Sequence, residues 1–524
     1  MSKEVANDYD SVPYESFPYS NTHPEHLYTV GKLFGMEPVL PKRCKVLELG
    51  CASGGNIIPM AVKYPESEFV GVDYSAVQIS EGQKHVNNLK VKNLDLKCTS
   101  IMDIDESFGK FDYIIAHGIL SWVTKDVQDK IFEISKKNLS ANGIAYVSYN
   151  TLPGWSAIRG IREMMLYHTD KFEDPAVKTS EARKLLEFIA EGNGDNESPY
   201  KSLIENEIKT LSTVGDFYLA HDHLEQNNEP FYFHDVMKKA DNNGLQYLGD
   251  TSIASMFIGN LPAKTAEVIG SIGNDIVRSE QYMDFVTNRR FRSTLLCSKD
   301  IQLNRNLNFE TIKDFYVTSE LICEKNLSDI DLASNEEVSF VREGGGALFT
   351  TSNAAVITAI VQLQHVKKQV AAEDLVNNVF KALGKEANKD QVRSVIFEWL
   401  LRLLFAGAVR LYSFPANYTT DKSDKPKASD LARYQATYSN WVTTQSSERI
   451  NVDIFNRVLF AYLDGTNDYD SLVEKMLSHI EKGDLNLNAE NGDVISDKER
   501  IKDVTAEMVK NALDKVAPSA LLVA

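Results

Sequence analysis

Residues 45–56, Lys-Val-Leu-Glu-Leu-Gly-Cys-Ala-Ser-Gly-Gly-Asn, constrain the fold more than any other stretch of the chain. Val46, Leu47 and Leu49 form a short apolar run of the kind that builds a buried parallel strand. Gly50, Ala52, Gly54 and Gly55 follow at once. Small residues let the backbone turn sharply and let a ligand come close to the main chain. From Asn56 onward, Ile57, Ile58, Met60, Ala61 and Val62 recur at helical spacing. The segment therefore reads as strand, turn and helix, with the helix N-terminus offering unpaired N–H groups to a polar ligand.

The chemistry of that ligand follows from two acids. The dinucleotide fingerprint is G-x-G-x-x-G. The same frame here holds Gly50, Ala52 and Gly55, so the middle glycine is replaced. Glu48 stands two residues before Gly50, where it would repel a pyrophosphate and attract an ammonium group. Phe69-Val70-Gly71-Val72-Asp73 reads as a second strand ending in an acid. Asp73 lies close to the ~20-residue offset at which a carboxylate accepts ribose hydroxyls. The two acids around a small-residue turn resemble the class I S-adenosylmethionine (AdoMet) methyltransferases. The alternative is another kind of nucleotide-binding α/β turn.

Length and charge narrow the function further. The 524 residues suffice for two to four domains. Fifty-six basic residues against 74 acidic ones give a formal net charge of −18. Such a chain is poorly equipped to neutralise phosphates, so nucleic acid is excluded as a partner. The charge either attracts basic, lysine-bearing substrates or only maintains solubility. The five cysteines, Cys44, Cys51, Cys98, Cys297 and Cys323, show neither a disulfide framework nor zinc spacing. The first residues lack a charged-then-apolar signal segment, and no apolar run approaches the ~20 residues that span a bilayer. A cytoplasmic protein without membrane insertion is expected.

Along the chain, residues 9–28 form an arm rich in aromatics, prolines and histidines, including Tyr14 and Tyr19. Prolines at 13, 18 and 24 make it extended or turning. It either folds over the ligand as a lid or packs on the surface. Leu94–Cys98 reads as a third strand, followed by Ser100 and Ile101 where this fold grips adenine; Asp103 caps or orients that loop. Phe111–His117 is the fourth strand. Its end borders the ligand crevice of an open α/β sheet, which places Ala116, His117 and Gly118 beside the sulfonium. The competing reading makes His117 structural. Ser121 and Trp122 are candidate pocket walls.

Gly143–Tyr149 is the fifth strand, after a helix near 125–138. Trp155 then opens a helix carrying Ile158, Ile161, Met164 and Met165. The Asn-Pro-Pro-aromatic box of amino-methylating nucleic-acid enzymes is absent; that position holds His117-Gly118-Ile119-Leu120. Residues 168–230 interrupt the α/β rhythm as a polar helical insertion. The rhythm resumes with a helix at 233–243 and a strand at 244–249, and 290–297 could close the sheet. His221-x-His223 lacks a third ligand at convincing spacing, so no metal is expected.

Beyond 300 the pattern turns helical. Ile357, Ile360, Val361 and Leu363 form one apolar stretch. Val392, Val395, Ile396, Trp399, Leu400, Leu403 and Leu404 form another. A short strand at 406–412 suggests a winged-helix-like hairpin, read as a protein-docking unit, and 414–430 reads as a linker. The fold class expected is α/β: a Rossmann-like methyltransferase domain followed by mainly helical, winged-helix-like domains. The expected divisions are 1–300, with regulatory motifs near 215–295, then 301–425 and 426–524.

Several motifs together go further. They are Tyr9-Asp10 through His23-Pro24, residues 47–56, His117-Gly118 with Ser121-Trp122, and Tyr146–Asn150 with Pro153-Gly154-Trp155. With Glu280–Phe285 and Arg289-Arg290-Phe291-Arg292, they resemble bacterial class I methyltransferases carrying a methyltransferase regulatory domain. The length and helical C-terminal half resemble, within that family, the rickettsial protein lysine methyltransferases that modify outer-membrane protein B. The resemblance implies AdoMet as cofactor, S-adenosylhomocysteine (AdoHcy) as product and lysine ε-amines of a surface protein as acceptor. It implies that Glu48, Gly50, Ser53, Gly54 and Asn56 line the methionine part of the cofactor. Asp73 and Tyr74 would face the ribose, and Ser100 and Ile101 the adenine. His117, Trp155, Tyr14 and Tyr19 would border the methyl group, with His117 a candidate proton acceptor. A small-molecule methyltransferase and a non-catalytic AdoMet sensor are the alternatives, and a homodimer is left open.

Overall fold

The computed structural model describes residues 15–523 apart from 195–196, 214, 217–218, 274, 334–335, 343–344, 346, 385–386, 422 and 488–496. Tyr14 lies outside the described residues. After helix α1 (Pro24–Leu33), the chain alternates β1 (Lys45–Leu49), α2 (Ile57–Lys63), β2 (Glu68–Asp73), α3 (Ala76–Asn88) and β3 (Leu94–Cys98). Then come β4 (Phe111–Ala116), α4 (Lys125–Lys137) and β5 (Leu139–Asn150). Helices α5 (Trp155–Thr169), α6 (Pro175–Gly192) and α7 (Pro199–Ser212) follow, with a π-helical turn at Leu219–His223. The sheet is completed by α8 (Phe233–Asn242), β6 (Leu245–Asp250), α9 (Ala263–Gly270), α10 (Ile276–Thr287) and β7 (Phe291–Ser298).

The strand order is β3-β2-β1-β4-β5-β7-β6. The first five strands are parallel. β7 runs antiparallel between β5 and β6. The order reverses between β1 and β4, so the crevice outside their C-terminal ends is where an open α/β sheet takes its ligand.

The two-residue period of the strands sorts the core into two layers. Val46, Tyr113, Ile115, Ile144 and Tyr146 pack with Ile57, Ile58, Met60 and Ile79 of α2 and α3. Leu47, Leu49, Ile114, Ala116 and Val147 pack with Val127 and Ile131 of α4 and with Phe233 and Val236 of α8. Strands covered on both faces explain the near-continuous apolar runs read from the sequence. The helices after β5 carry a separate small core of Ile161, Met165, Leu186, Ile204, Leu211 and Leu219.

Further along are β8 (Tyr316–Ser319), β9 (Leu321–Ile322), β10 (Val338–Arg342), β11 (Ala347–Thr351), α11 (Ala354–Val366) and β12 (Val370–Ala371). Helices α12 (Ala372–Leu383) and α13 (Lys389–Phe405) and strand β13 (Val409–Tyr412) end this region. The strand expected at 406–412 forms, but its partner is far upstream rather than the other arm of a local hairpin. β13 pairs antiparallel with β8, whose other neighbour is β12. That pairing sets Leu411 opposite Val317, and both are buried beside Val356, Leu375 and Ile396 of the helices. The last region holds α14 (Asp430–Tyr438), the β14 (Trp441–Thr443) and β15 (Arg449–Asn451) hairpin, α15 (Ile454–Tyr462), α16 (Tyr469–Glu481) and α17 (Lys498–Val516). The stretch read as a linker is tied to it: Thr419 N–H donates to the Leu522 carbonyl at 3.1 Å, and Ala428 N–H to that of Leu463 at 2.8 Å. Among the described residues no helix is long and apolar enough to cross a membrane.

Candidate active site

A cavity of about 670 Å³ opens at the β1–β4 crevice. Its floor is the turn after β1. Gly50, Ala52 and Gly54 all have positive φ, at 69°, 47° and 82°. A Cβ on Gly50 would lie 2.9 Å from Ile119 Cδ1. Gly55 serves a different purpose. A Cβ there would stand 2.1 Å from the carbonyl oxygen of Ser16. This glycine makes room for the N-terminal arm, and its N–H donates to Ser16 Oγ at 2.9 Å.

The arm crosses the cofactor turn. Tyr19 N–H donates to Asn56 Oδ1 at 2.9 Å, and the Tyr19 ring lies on His117 with centroids 3.9 Å apart. Ser16, Tyr19 and Asn21 line the cavity, so the lid placement holds for the described part of the arm.

Glu48 points into the crevice from β1 and is buried. Asn56 Nδ2 donates to its Oε1 at 2.7 Å. Its Oε2 is buried with no hydrogen-bond partner among the described residues. Burial pushes its carboxyl up to about 8; the Asn56 bond opposes this and the charge of Asp73 adds to it. A buried acceptor left over in this way is costly unless a cation meets it. The α-ammonium of an amino-acid moiety is such a cation. Asn56 lines the cavity, but its amide is used on Glu48, Tyr19 and Thr22, so it holds Glu48 and the arm in place.

Asp73 ends β2. It accepts from Ala52 N–H and from Ser75 N–H, each at 2.9 Å. These bonds fix the carboxylate at the cavity wall, and an ionised carboxylate keeps further lone pairs for ribose hydroxyls. Tyr74, Ser100 and Ile101 line the same side. Ser100 Oγ also accepts from Met102 N–H at 3.2 Å, capping a short 3₁₀ turn. Ser75 and Gln78 are wall residues that the sequence reading missed. Ser53 lines a neighbouring cleft with Gly55 and Trp441. Gly54 shapes the turn, where a Cβ would meet Ile58 at 2.9 Å. Neither is among the described residues that line the cofactor cavity.

His117 ends β4. Its Nδ1 lies 2.8 Å from the Tyr146 hydroxyl and 3.3 Å from Ser148 Oγ. Burial lowers its pKa to about 4. The ring is therefore neutral near pH 7, and its conjugate acid is far too strong to persist after taking a proton from an amine of pKa about 10.4. The geometry gives His117 a place in an uncharged aromatic wall and removes it as a proton acceptor. Trp155, at the start of α5, is buried and meets Trp122 edge to face at 6.2 Å.

The cavity is also lined by Asn150, Glu207, Thr210, the turn His221–His223, Arg290 and Phe291. This part of the wall comes largely from the insertion and was not read from the sequence as part of the site. The His221-x-His223 spacing was the one signal present. Its structural partner is a carboxylate: His223 Nε2 and Glu207 Oε1 are 2.9 Å apart. Among the described residues no group of three or more His, Cys, Asp or Glu could hold a metal ion.

A Rossmann-like sheet with a glycine turn, a buried glutamate with one oxygen left over and an aspartate fixed at the end of β2 defines a class I AdoMet-dependent methyltransferase. Family models agree: a methyltransferase domain matches residues 40–191, a "predicted methyltransferase regulatory domain" 215–298, and a PKMT C-terminal winged helix domain 424–521. The structure of PKMT2 from Rickettsia typhi in complex with AdoHcy matches with a TM-score of 0.90 and 39% identity, covering 98% of this chain and 100% of that one. An uncharacterized Rickettsia prowazekii protein, RP789, is 43% identical over 528 residues, 99% of this chain and 94% of its own length. A shorter one, RP028, is 45% identical over 240 residues, 46% of this chain and 96% of its own. The chain belongs to the PKMT family of AdoMet-dependent methyltransferases represented by R. typhi PKMT2.

Proposed function

We propose that this enzyme methylates lysine ε-amines of a bacterial outer-membrane or surface protein. The observation that carries the reading is the continuity of the cavity. One space is lined by the cofactor turn, by His117, Trp122 and Trp155, and by the buried carboxylate of Glu207. A long side chain ending in a cation suits such a cavity, because aromatic faces and a carboxylate both favour an ammonium. The full-length likeness to a protein named PKMT2 supports a protein acceptor.

When bound, AdoMet supplies an activated methyl group on a positively charged sulfur. The chain's own residues do the rest. Glu48 takes the ammonium of the methionine moiety, Asp73 the ribose, and Tyr74, Ser100 and Ile101 border the adenine. Tyr19, His117 and Trp155 exclude water around the methyl group. We assign residues 1–300 to methyl transfer, and 301–425 and 426–524 to holding the protein acceptor. The chain acts on its acceptor in the cytoplasm.

The test is incubation with isotopically labelled AdoMet and bacterial cell-envelope proteins, followed by mass mapping. Label on lysine side chains is expected. Label confined to small molecules, or to other side chains, refutes the lysine assignment.

A further inference from the structure

The cavity wall carries a group that cofactor binding does not use. Glu207 lies on α7 between Ile204 and Leu211, at spacings that place all three on one helix face. Ile204 and Leu211 belong to the insertion's apolar core. Glu207 is buried with them, its side chain 4% exposed, yet it lines the cavity. A carboxylate in an interior position is expensive unless it is fully paired. The pairing here is incomplete. Oε1 meets His223 Nε2 at 2.9 Å, while among the described residues the cation nearest Oε2 is Arg290 Nη1 at 4.0 Å, beyond hydrogen-bond range.

A second feature points to the same place. Asn150, at the end of β5, is buried and lines the cavity. Its backbone is committed: its N–H donates to Ser121 Oγ, and its carbonyl accepts from Phe231 N–H. Its side-chain Nδ2 is buried with no partner among the described residues. Both tryptophans line the cavity with Glu207 and Asn150. The carboxylate and the aromatic faces suit a primary ammonium, while the Asn150 Nδ2, a donor only, suits an acceptor oxygen of the peptide that carries it.

We infer that Glu207 is the amine subsite of this enzyme, binding and orienting the acceptor's ammonium group. This deepens the methyl-transfer reading above and rests on it. The ammonium donates an N–H to Oε2. Before attack one N–H bond breaks with its proton passing to water, and the electron pair left on nitrogen becomes the nucleophile. His223 is a positioning residue that holds Oε1 and so aims Oε2.

The test is calorimetric and uses the whole chain. Three probes are compared: AdoHcy; an aza-analogue of AdoHcy bearing a 4-aminobutyl arm on the bridging nitrogen; and the same analogue with an n-pentyl arm. The unaltered protein is expected to prefer the amine arm over the alkyl arm by about tenfold or more, the worth of a charge-assisted bond. Glu207→Gln is expected to lose that preference while binding AdoHcy as before. His223→Gln is expected to weaken it, again with AdoHcy affinity intact. A preference that persists in Glu207→Gln overturns the assignment. Should that variant fail to fold, the unaltered protein decides: equal binding of the two arms overturns it. Failure of the lysine reading looks different, because envelope lysines then stay unlabelled while the amine preference stands.

Discussion

The charge on Glu48 makes cofactor affinity depend on pH in a way that can be worked out in advance. Its carboxyl is raised from an ordinary 4.5 to about 8, chiefly by burial. In the ligand-free protein it is therefore mostly protonated at pH 6–7. A bound α-ammonium against Oε2 favours the ionised form, so binding releases a proton. Well below the raised value the ionised fraction grows about tenfold per pH unit, so AdoHcy affinity should rise about tenfold from pH 6 to pH 7. His117, with a pKa of about 4, does not titrate in that window. The same shift sets the stability of the ligand-free protein. A carboxyl raised on folding contributes stability that is fully present below 4.5 and is lost as pH rises through about 8. The ligand-free protein should thus melt at lower temperature at pH 8.5 than at pH 6, and AdoHcy should narrow the difference. The assay is titration calorimetry with AdoHcy at several pH values, in two buffers of different ionisation enthalpy to count protons. Glu48→Gln should flatten the profile, release no proton and weaken binding at pH 7 by about ten- to hundredfold, the worth of a hydrogen bond to a charged group. An unaltered protein whose affinity is flat from pH 6 to 7, or a Glu48→Gln protein that follows it, refutes the role given to Glu48.

Three further outcomes are expected. Gly55→Ala places a Cβ 2.1 Å from the Ser16 carbonyl oxygen, so the arm must lift. Residues 15–22 should then become open to limited proteolysis, and an arm still protected contradicts the packing described. Trp155→Ala should lower the rate of methyl transfer about tenfold or more through the lost cation–π face while leaving AdoHcy binding intact; equal losses in both would place Trp155 in the cofactor site instead. Arg292 is fully buried, bonded to Asp284 and Glu280 and 4.0 Å from the centre of the Phe233 ring. Arg292→Met strands Glu280 and leaves Asp284 with Arg289 alone, and should cost about 3–5 kcal/mol in urea denaturation, a figure that a variant of unchanged stability would disprove.

The legible part of this site lies on short-range patterns. Glu48, the glycines and Asp73 sit at fixed offsets around β1 and β2, and the turn chemistry alone announces them. His117 and Trp155 were legible through position, since each stands just past the end of a strand. Their roles were less so: the low pKa of His117 comes from burial, and Asn56 spends its amide on Glu48 and the arm rather than on a ligand. Ser53 and Gly54 belong to the same motif, yet the sharp turn at Gly54 carries them away from the cavity. Glu207, Asn150 and Arg290 gave no local signal. Glu207 sits sixteen positions before His223, and only the folding of α7 against the π-helical turn brings the two together. The strand at β13 was visible, but its partner β8 was not, because a β pairing distant in sequence leaves no mark on either strand alone.

The arm explains why the cofactor domain and the last region belong to one chain. On one side Ser16 and Tyr19 are bonded to the cofactor turn. On the other, Trp441 donates to Glu15 at 3.1 Å and packs on Phe17, while Arg449 lies 4.1 Å from the Phe17 ring centre. Two more ties run beside the arm: Lys63 Nζ donates to the Gln445 carbonyl at 3.1 Å, and His85 meets the Tyr434 hydroxyl at 2.9 Å. An extended segment of so few residues cannot bury enough surface to stay in place alone. Clamped between two units, it keeps Tyr19 over His117. The β14–β15 hairpin of the winged-helix region thus touches the arm that borders the cofactor cavity, without lining that cavity itself.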